Sequence, residues 1–322
     1  GNFVSTKSGN SNSFGQKLLE DLDTKALSKI TIRGEDSFVS LVQLKGGGWL
    51  EESFKYEAES SQIQDLLLKL YQTKLGDLVS NNANHHKRFK LVAAPENVER
   101  WDKDVYGESV TLLKGDGTII LSFLIGKNRK SGQGQYIRYN GSNKVFLIPE
   151  RLNINTNPND WLDKKLLELE EKDVKNIKIK SNSEIKLNIN RKTFNDPWLT
   201  KGETIMPSEE KIQNVLDKLS SLSFSKILER QITNEKELNP SEKTLLITLF
   251  DGRLFTIKII KNNIANENYI LSLRMGILQD SSGKKEIDEK VRIEMESFNK
   301  KMNGRFFEIS SWEGEQLLMR ND

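Results

Sequence analysis

The sequence predicts an α+β protein: two tandem copies of a mostly antiparallel sheet module, each with an amphipathic helix packed on one face. Three pairs of features predict it. Ile63, Leu66, Leu67 and Leu70 recur at the i, i+3, i+4, i+7 spacing of one apolar helix face, and Ile212, Val215, Leu216 and Leu219 repeat that pattern 149 residues later. Trp49 follows Gly46-Gly47-Gly48 and Trp198 follows Asn195-Asp196-Pro197, again 149 residues apart. Asp116-Gly117 and Asp251-Gly252 each separate two apolar runs, a strong hairpin signal because glycine accepts positive φ at no steric cost.

The remaining elements follow in the same order in each copy. Ile30 and Ile32 alternate with polar neighbours, as do Ile177 and Ile179. The next strands are expected over 38–44 and 184–190, where Ile185, Leu187 and Ile189 share one face by the two-residue period of a strand. Polar starts, Ser60-Ser61 and Pro207-Ser208-Glu209-Glu210, precede the two helices and suit their unpaired amides. After the hairpins come Tyr136-Ile137 and Tyr269-Ile270, each in a further strand, then Asn140-Gly141 before 145–148 and Asn303-Gly304 before 306–309. Trp161 precedes Leu166-Leu167 by the same interval as Trp312 precedes Leu317-Leu318. The matched positions predict core roles for Trp49, Trp198, Trp161 and Trp312. The copies differ in a polar insert over 80–90 in the first and a charged segment over 284–301 in the second, where Ile287, Val291, Met295 and Phe298 are spaced as one helix face. That helix is either a docking element or a cover for an open sheet edge, the second being the expected role.

The organisation expected is a flexible tether over 1–22, a first repeat over 23–158, a linker helix over 159–172, and a second repeat over 173–322 with an inserted helix near 284–301. A length of 322 residues fits two domains. Ser, Asn and Gly dominate residues 5–15, and the start at Gly1 rather than Met suggests an anchor or signal segment preceding this sequence.

Composition excludes several functions. Residues 1–150 hold 20 Lys/Arg against 18 Asp/Glu, and 151–322 hold 29 against 28. Neither half concentrates the positive charge that nucleic-acid binding exploits, so no nucleic-acid partner is expected. With no cysteine, disulfides, thiol nucleophiles and Cys-ligated zinc are excluded. The apolar runs at 119–125 and 245–250 are strand-length, well short of the ~18–20 residues that span a bilayer.

No catalytic constellation stands out: no nucleophile elbow, no His-based triad and no Glu-x-x-His pair is present. Catalytic residues, metal ligands and cofactors are therefore expected to be none. His85-His86 lie among Asn81, Asn82, Asn84, Lys87 and Arg88 and read as a solvated loop. Gly132-Gln133-Gly134 lacks the Lys-Ser/Thr and following helix of a phosphate loop and reads as a hairpin connection. Beside it, Lys127, Arg129 and Lys130 make the most basic loop, a candidate contact for an anionic partner. Trp101 is the tryptophan without a counterpart, and it and Tyr106 are the candidate non-structural aromatics.

Several of these residues carry a family resemblance. Leu27-Ser28-Lys29-Ile30-Thr31-Ile32 and Val174-Lys175-Asn176-Ile177-Lys178-Ile179 open the modules, Gly48-Trp49 and Pro197-Trp198 follow, and Trp161-Leu162-Asp163-Lys164-Lys165-Leu166-Leu167 joins them. In this pattern, from about Asp23 onward, the chain resembles the bacterial DUF4340 family. The family's Tyr-Gly-Leu element followed by Pro is reduced here to Val105-Tyr106-Gly107-Glu108-Ser109 and to Leu238-Asn239-Pro240. The resemblance implies an extracytoplasmic, membrane-anchored protein whose anchor lies outside this sequence, with envelope proteins, including ABC-type transport components, as partners. It implies no catalytic residues. The expected function is a non-enzymatic protein-contact domain; the alternatives are a ligand module for glycans or other envelope components at the repeat junction and, third, a hydrolase.

Overall fold

A computed structural model describes residues 12–20, 25–229, 242–262, 266–278 and 288–320. The chain divides into two compact units, Gly1–Asp163 and Lys164–Asp322. In the first, β1 (Leu27–Gly34), β2 (Ser37–Gln43), β3 (Trp49–Glu51) and β4 (Tyr56–Glu57) lead into α1 (Ser60–Gln72). Then follow β5 (Leu78–Ser80), β6 (Glu108–Lys114), β7 (Ile119–Asn128), β8 (Gln135–Tyr139) and β9 (Val145–Ile148). They form one antiparallel sheet in the order β4-β3-β2-β1-β6-β7-β8-β9-β5.

The second unit contains β10 (Lys165–Leu167), β11 (Val174–Ser181), β12 (Glu184–Asn190), β13 (Leu199–Thr200), α2 (Glu209–Ser220), β14 (Leu222–Ser223) and β15 (Lys226–Ile227). After these come β16 (Lys243–Leu249), β17 (Arg253–Lys261), β18 (Tyr269–Ile277), α3 (Glu289–Met302), β19 (Phe307–Ile309) and α4 (Ser311–Leu317). Its main sheet runs β13-β12-β11-β16-β17-β18-β19-β15. Apart from β4, strand for strand this is the order of the first sheet, with the short post-helix strand at the far edge each time. The fold is α+β with the same antiparallel module in each unit.

The helices form where the apolar spacing placed them. Ile63, Leu66 and Leu70 of α1 join Ile30, Ile32, Val110 and Phe123 of the sheet in one core. Ile212, Val215, Leu216 and Leu219 are the buried face of α2, whose cap Ser208 accepts the Lys211 N–H at 3.2 Å. The start of α1 differs: Glu59 is the cap residue and makes no side-chain cap bond, while Ser61 donates to its carboxylate.

On α3, Val291, Met295 and Phe298 are half-buried and Met302 is buried; Ile287 lies outside the described residues. Among the described residues β18 pairs with β19 only over its first three residues, leaving the rest of that edge without a strand. There Asn299 of α3 accepts the Met275 N–H at 2.8 Å and donates to its carbonyl at 2.9 Å, and Phe298 meets Phe255 edge-on at 5.5 Å. A side-chain amide thus takes the place of the missing strand, and the helix covers the edge.

Three expectations need correction. Residues 12–20 are not a free tether. Leu18 and Leu19 are buried, the Leu18 N–H donates to the Thr73 carbonyl at 2.8 Å, and the Tyr139 hydroxyl donates to the Leu18 carbonyl at 2.9 Å. Two adjacent buried leucines supply apolar surface that holds the segment; residues 1–11 and 21–22 lie outside the described residues. The 159–172 segment is not a helix. It holds a 3-10 turn (Pro158–Trp161), β10 and a second 3-10 turn (Glu171–Asp173), and the boundary between the units falls inside it. Backbone pairing outcompetes a charge-rich helix here: Glu59 donates to the Trp161 carbonyl, Asp163 to that of Glu57, and β10 pairs with β14. Finally, the tryptophans are not equivalent. Trp49 and Trp161 are buried, Trp198 is half-buried against the Arg191 guanidinium 4.4 Å from its ring, and Trp312 is 62% exposed. α4 turns Gly314 and Leu317 inward, which leaves Trp312 on its outer side.

Candidate functional site

The run at 119–125 is apolar at nearly every position, and both faces of β7 are in fact covered. Phe123 and Ile125 enter the α1 core, whereas Leu124 packs with Leu91 and Val145 in a second cluster flanked by Phe89 and Tyr136. The long connection between β5 and β6, residues 81–107, therefore lies on the face opposite α1. Gly126 permits its close approach. A Cβ there would sit 2.2 Å from the Phe89 carbonyl, which instead accepts the Lys127 N–H at 2.9 Å.

Basic side chains tie this connection to the sheet. Arg138 of β8 is 7% exposed; its Nε and one terminal nitrogen donate to the Leu91 carbonyl at 2.9 and 2.8 Å, and the other to Ser142 at 2.9 Å. Burial pushes its pKa below the usual arginine value, yet arginine stays charged at any ordinary pH. His86, also 7% exposed, bonds the Asn143 carbonyl through Nε2 at 2.8 Å. A carbonyl only accepts, so Nε2 carries the proton. Arg33 of β1 donates to the carbonyls of Ala94, Pro95 and Glu96 at 3.0, 2.5 and 3.4 Å. The same guanidinium lies 5.7 Å from the Trp101 ring, which meets Tyr106 edge-on at 5.5 Å. Nearby Glu108, at the start of β6, is pushed up by burial, partly offset by the Lys90 charge.

The structure thus brings Trp101 and Tyr106 together, half-buried, in the seam between connection and sheet. Lys127 is exposed on β7, and Arg129 and Lys130 are exposed in the loop that the Arg129 N–H closes onto the Gly134 carbonyl at 2.9 Å. Gly132-Gln133-Gly134 is part of that hairpin connection. The solvated-loop reading of the two histidines is corrected: His86 is a buried clamp, and half-buried His85 shares a 2.8 Å hydrogen bond between Nδ1 and the Ser80 hydroxyl. Sequence reasoning passed over Arg33 and Arg138 and placed His86 in solvent. The signal for a covered second face was present in the β7 run over 119–125, apolar at every position but Ser122.

Because the backbone of 81–107 is gripped from below, many of its polar side chains, such as Asn84, Lys87, Arg88, Asn97 and Lys103, are exposed. Chemically this is a polar surface carried on a backbone held in place. Among the described residues no group of three or more His, Cys, Asp or Glu is placed to hold a metal.

His86 makes the clamp sensitive to acid. Burial is the largest cause of its lowered pKa; the Asn143 hydrogen bond opposes it, and the Arg138 and His85 charges add to it. A depressed folded-state pKa means that the unfolded chain binds the proton more readily. The stability is full above the ordinary value of 6.5 and is lost as pH falls through the lower folded value. Amide exchange at residues 86–92 is expected to accelerate between pH 7.5 and 5 relative to the first-unit core, and His86→Gln to flatten that dependence. Exchange equally protected at pH 5 would contradict it.

A protein-family model described as a domain of unknown function, DUF4340, matches residues 49–243, from β3 to the first residue of β16. No curated protein and no solved structure matches the chain.

Proposed function

We propose, from the premise that this chain belongs to the DUF4340 family, that it is a non-enzymatic docking domain of the cell envelope. In this reading an N-terminal segment outside residues 1–322 anchors it to the membrane. The domain contacts protein partners there, among them components of an ABC-type transport system. The observation that carries the docking role is the grip of Arg33 and Arg138 on the backbone of 81–107, together with the anchoring of His86 from that connection to the Asn143 carbonyl. Ordering a loop in advance removes the entropy a partner would otherwise have to overcome on binding. Envelope location and transport partners rest on the family resemblance. No helix among the described residues is long and apolar enough to cross a membrane.

The test uses the full-length protein in cells, with a photoreactive residue at Asn97 or Lys103 and, as a control, at Ser297 on α3. Membrane-fraction crosslinks to a discrete protein from the first two positions and none from the third are expected. Recovery of the full-length protein free in the cytosol, or equal labelling from all three sites, would sink the reading.

A further inference from the structure

Among the described residues, the outer edge of the second sheet is bare where that of the first is covered. In the first unit β4 pairs with β3, Leu50 opposite Glu57 and Glu51 opposite Tyr56, and Tyr56 is 1% exposed. β13 is the counterpart of β3: Thr200 faces Ile189 of β12 as Glu51 faces Leu41 of β2. The same count carries Tyr56 onto Ile205, which is 89% exposed.

One substitution between the copies accounts for the difference. Glu51 is fully buried, and its carboxylate accepts the backbone N–H groups of Ser40, Ser53 and Phe54 at 3.0, 2.7 and 3.1 Å, which closes the β3–β4 hairpin. Thr200 has no carboxylate to do this. Thr204 instead holds the Asn188 backbone, accepting its N–H and donating to its carbonyl, both at 3.3 Å. The segment that folds back in the first unit leaves Leu199 62%, Ile205 89% and Met206 39% exposed in the second. Clustered apolar residues on a free strand edge are a site for another strand.

We propose that this edge joins two copies of the chain, paired antiparallel about a two-fold axis at Gly202. Trp198-Leu199-Thr200-Lys201-Gly202-Glu203-Thr204-Ile205-Met206 reads alike from either end by residue class: apolar, apolar, threonine, charge, glycine. Pairing centred on Gly202 sets Leu199 against Ile205 of the partner subunit and Thr200 against Thr204 of the partner subunit. It also sets Lys201 against Glu203 of the partner subunit, so the charges are opposite rather than alike. Each contact occurs twice, as an isologous interface requires. Gly202 has φ +79° with open space around it, and it is where the chain must straighten. Glycine does so without steric cost. The pairing uses only second-unit residues and is independent of the envelope reading.

Sedimentation equilibrium of the 322-residue chain is expected to show monomer–dimer exchange. Lys201→Glu places like charges together and should weaken it by about tenfold or more. The swap Lys201→Glu/Glu203→Lys restores the opposite pair and should recover dimerisation. A foreign strand on this edge would not be rescued in that way. The chain has no cysteine, so Gly202→Cys introduces a single thiol that should oxidise to a linked dimer, whereas Ser297→Cys should stay monomeric. A chain monomeric at every concentration, a dimer indifferent to Lys201→Glu, or a folded swap variant that remains monomeric would each overturn the proposal.

Discussion

Gly314→Ala is expected to destabilise the second unit by about 3 kcal/mol, the upper end of what overpacking costs. In most helices this change stabilises by about 1 kcal/mol, because glycine is the poorer helix former. Here the sign reverses. A Cβ on Gly314 would lie 2.1 Å from Cδ2 and 2.4 Å from Cγ of Tyr269, closer than any real contact. The ring cannot step aside: Tyr269 is 3% exposed in β18, and its hydroxyl donates to Glu315 at 2.5 Å. Burial first, then that carboxylate, pushes the phenol up to about 12, so it remains a donor across the ordinary range. Chemical unfolding followed by second-unit probes would measure the loss. Tyr269→Leu in the Gly314→Ala background should recover part of it, a coupling that unrelated damage would not produce. An unchanged unfolding midpoint would mean that α4 does not pack on Tyr269.

Arg138→Met is expected to cost roughly 3 kcal/mol, felt mainly as release of residues 81–107. Replacing a buried charge by an apolar side chain can be neutral, because the charge no longer has to be desolvated. The acceptors decide the outcome here. Leu91 is 0% exposed, and the substitution would strip its carbonyl of both guanidinium donors and the Ser142 carbonyl of one. Methionine fills much of the volume and replaces none of these bonds. Arg138→Lys should recover little, since one ammonium cannot reproduce the planar fork. Faster tryptic cleavage at Lys87 and Arg88, with the second unit's transition unchanged, is the expected readout. Full protection in Arg138→Met would remove the basis for a preorganised surface.

The resemblance drawn from the module starts, the tryptophan turns and the joining segment agrees with the family match over 49–243. Most strands, both repeat helices and both Asp-Gly hairpins were legible because they rest on local rules. Apolar period and turn chemistry are properties of neighbours along the chain. Gly117 and Gly252 do adopt the positive φ, +85° and +94°, that their turns demand. The candidate site was legible only in part: Trp101 and Tyr106 lie in it, but the residues that build it were missed.

The sequence by itself determined the duplication, the α+β class, the hairpins and the apolar faces of the repeat helices. Tertiary structure alone decided which polar groups are buried and which edges stay open. Arg138 and Leu91 are 47 residues apart, and no local pattern announces that a strand arginine will meet that carbonyl. Likewise, Trp161 and Trp312 hold matching places in the repeat, but one is buried and the other is 62% exposed. Matched spacing preserves the path of the backbone. Burial depends on what distant segments bring to each face, and the two units bring different ones.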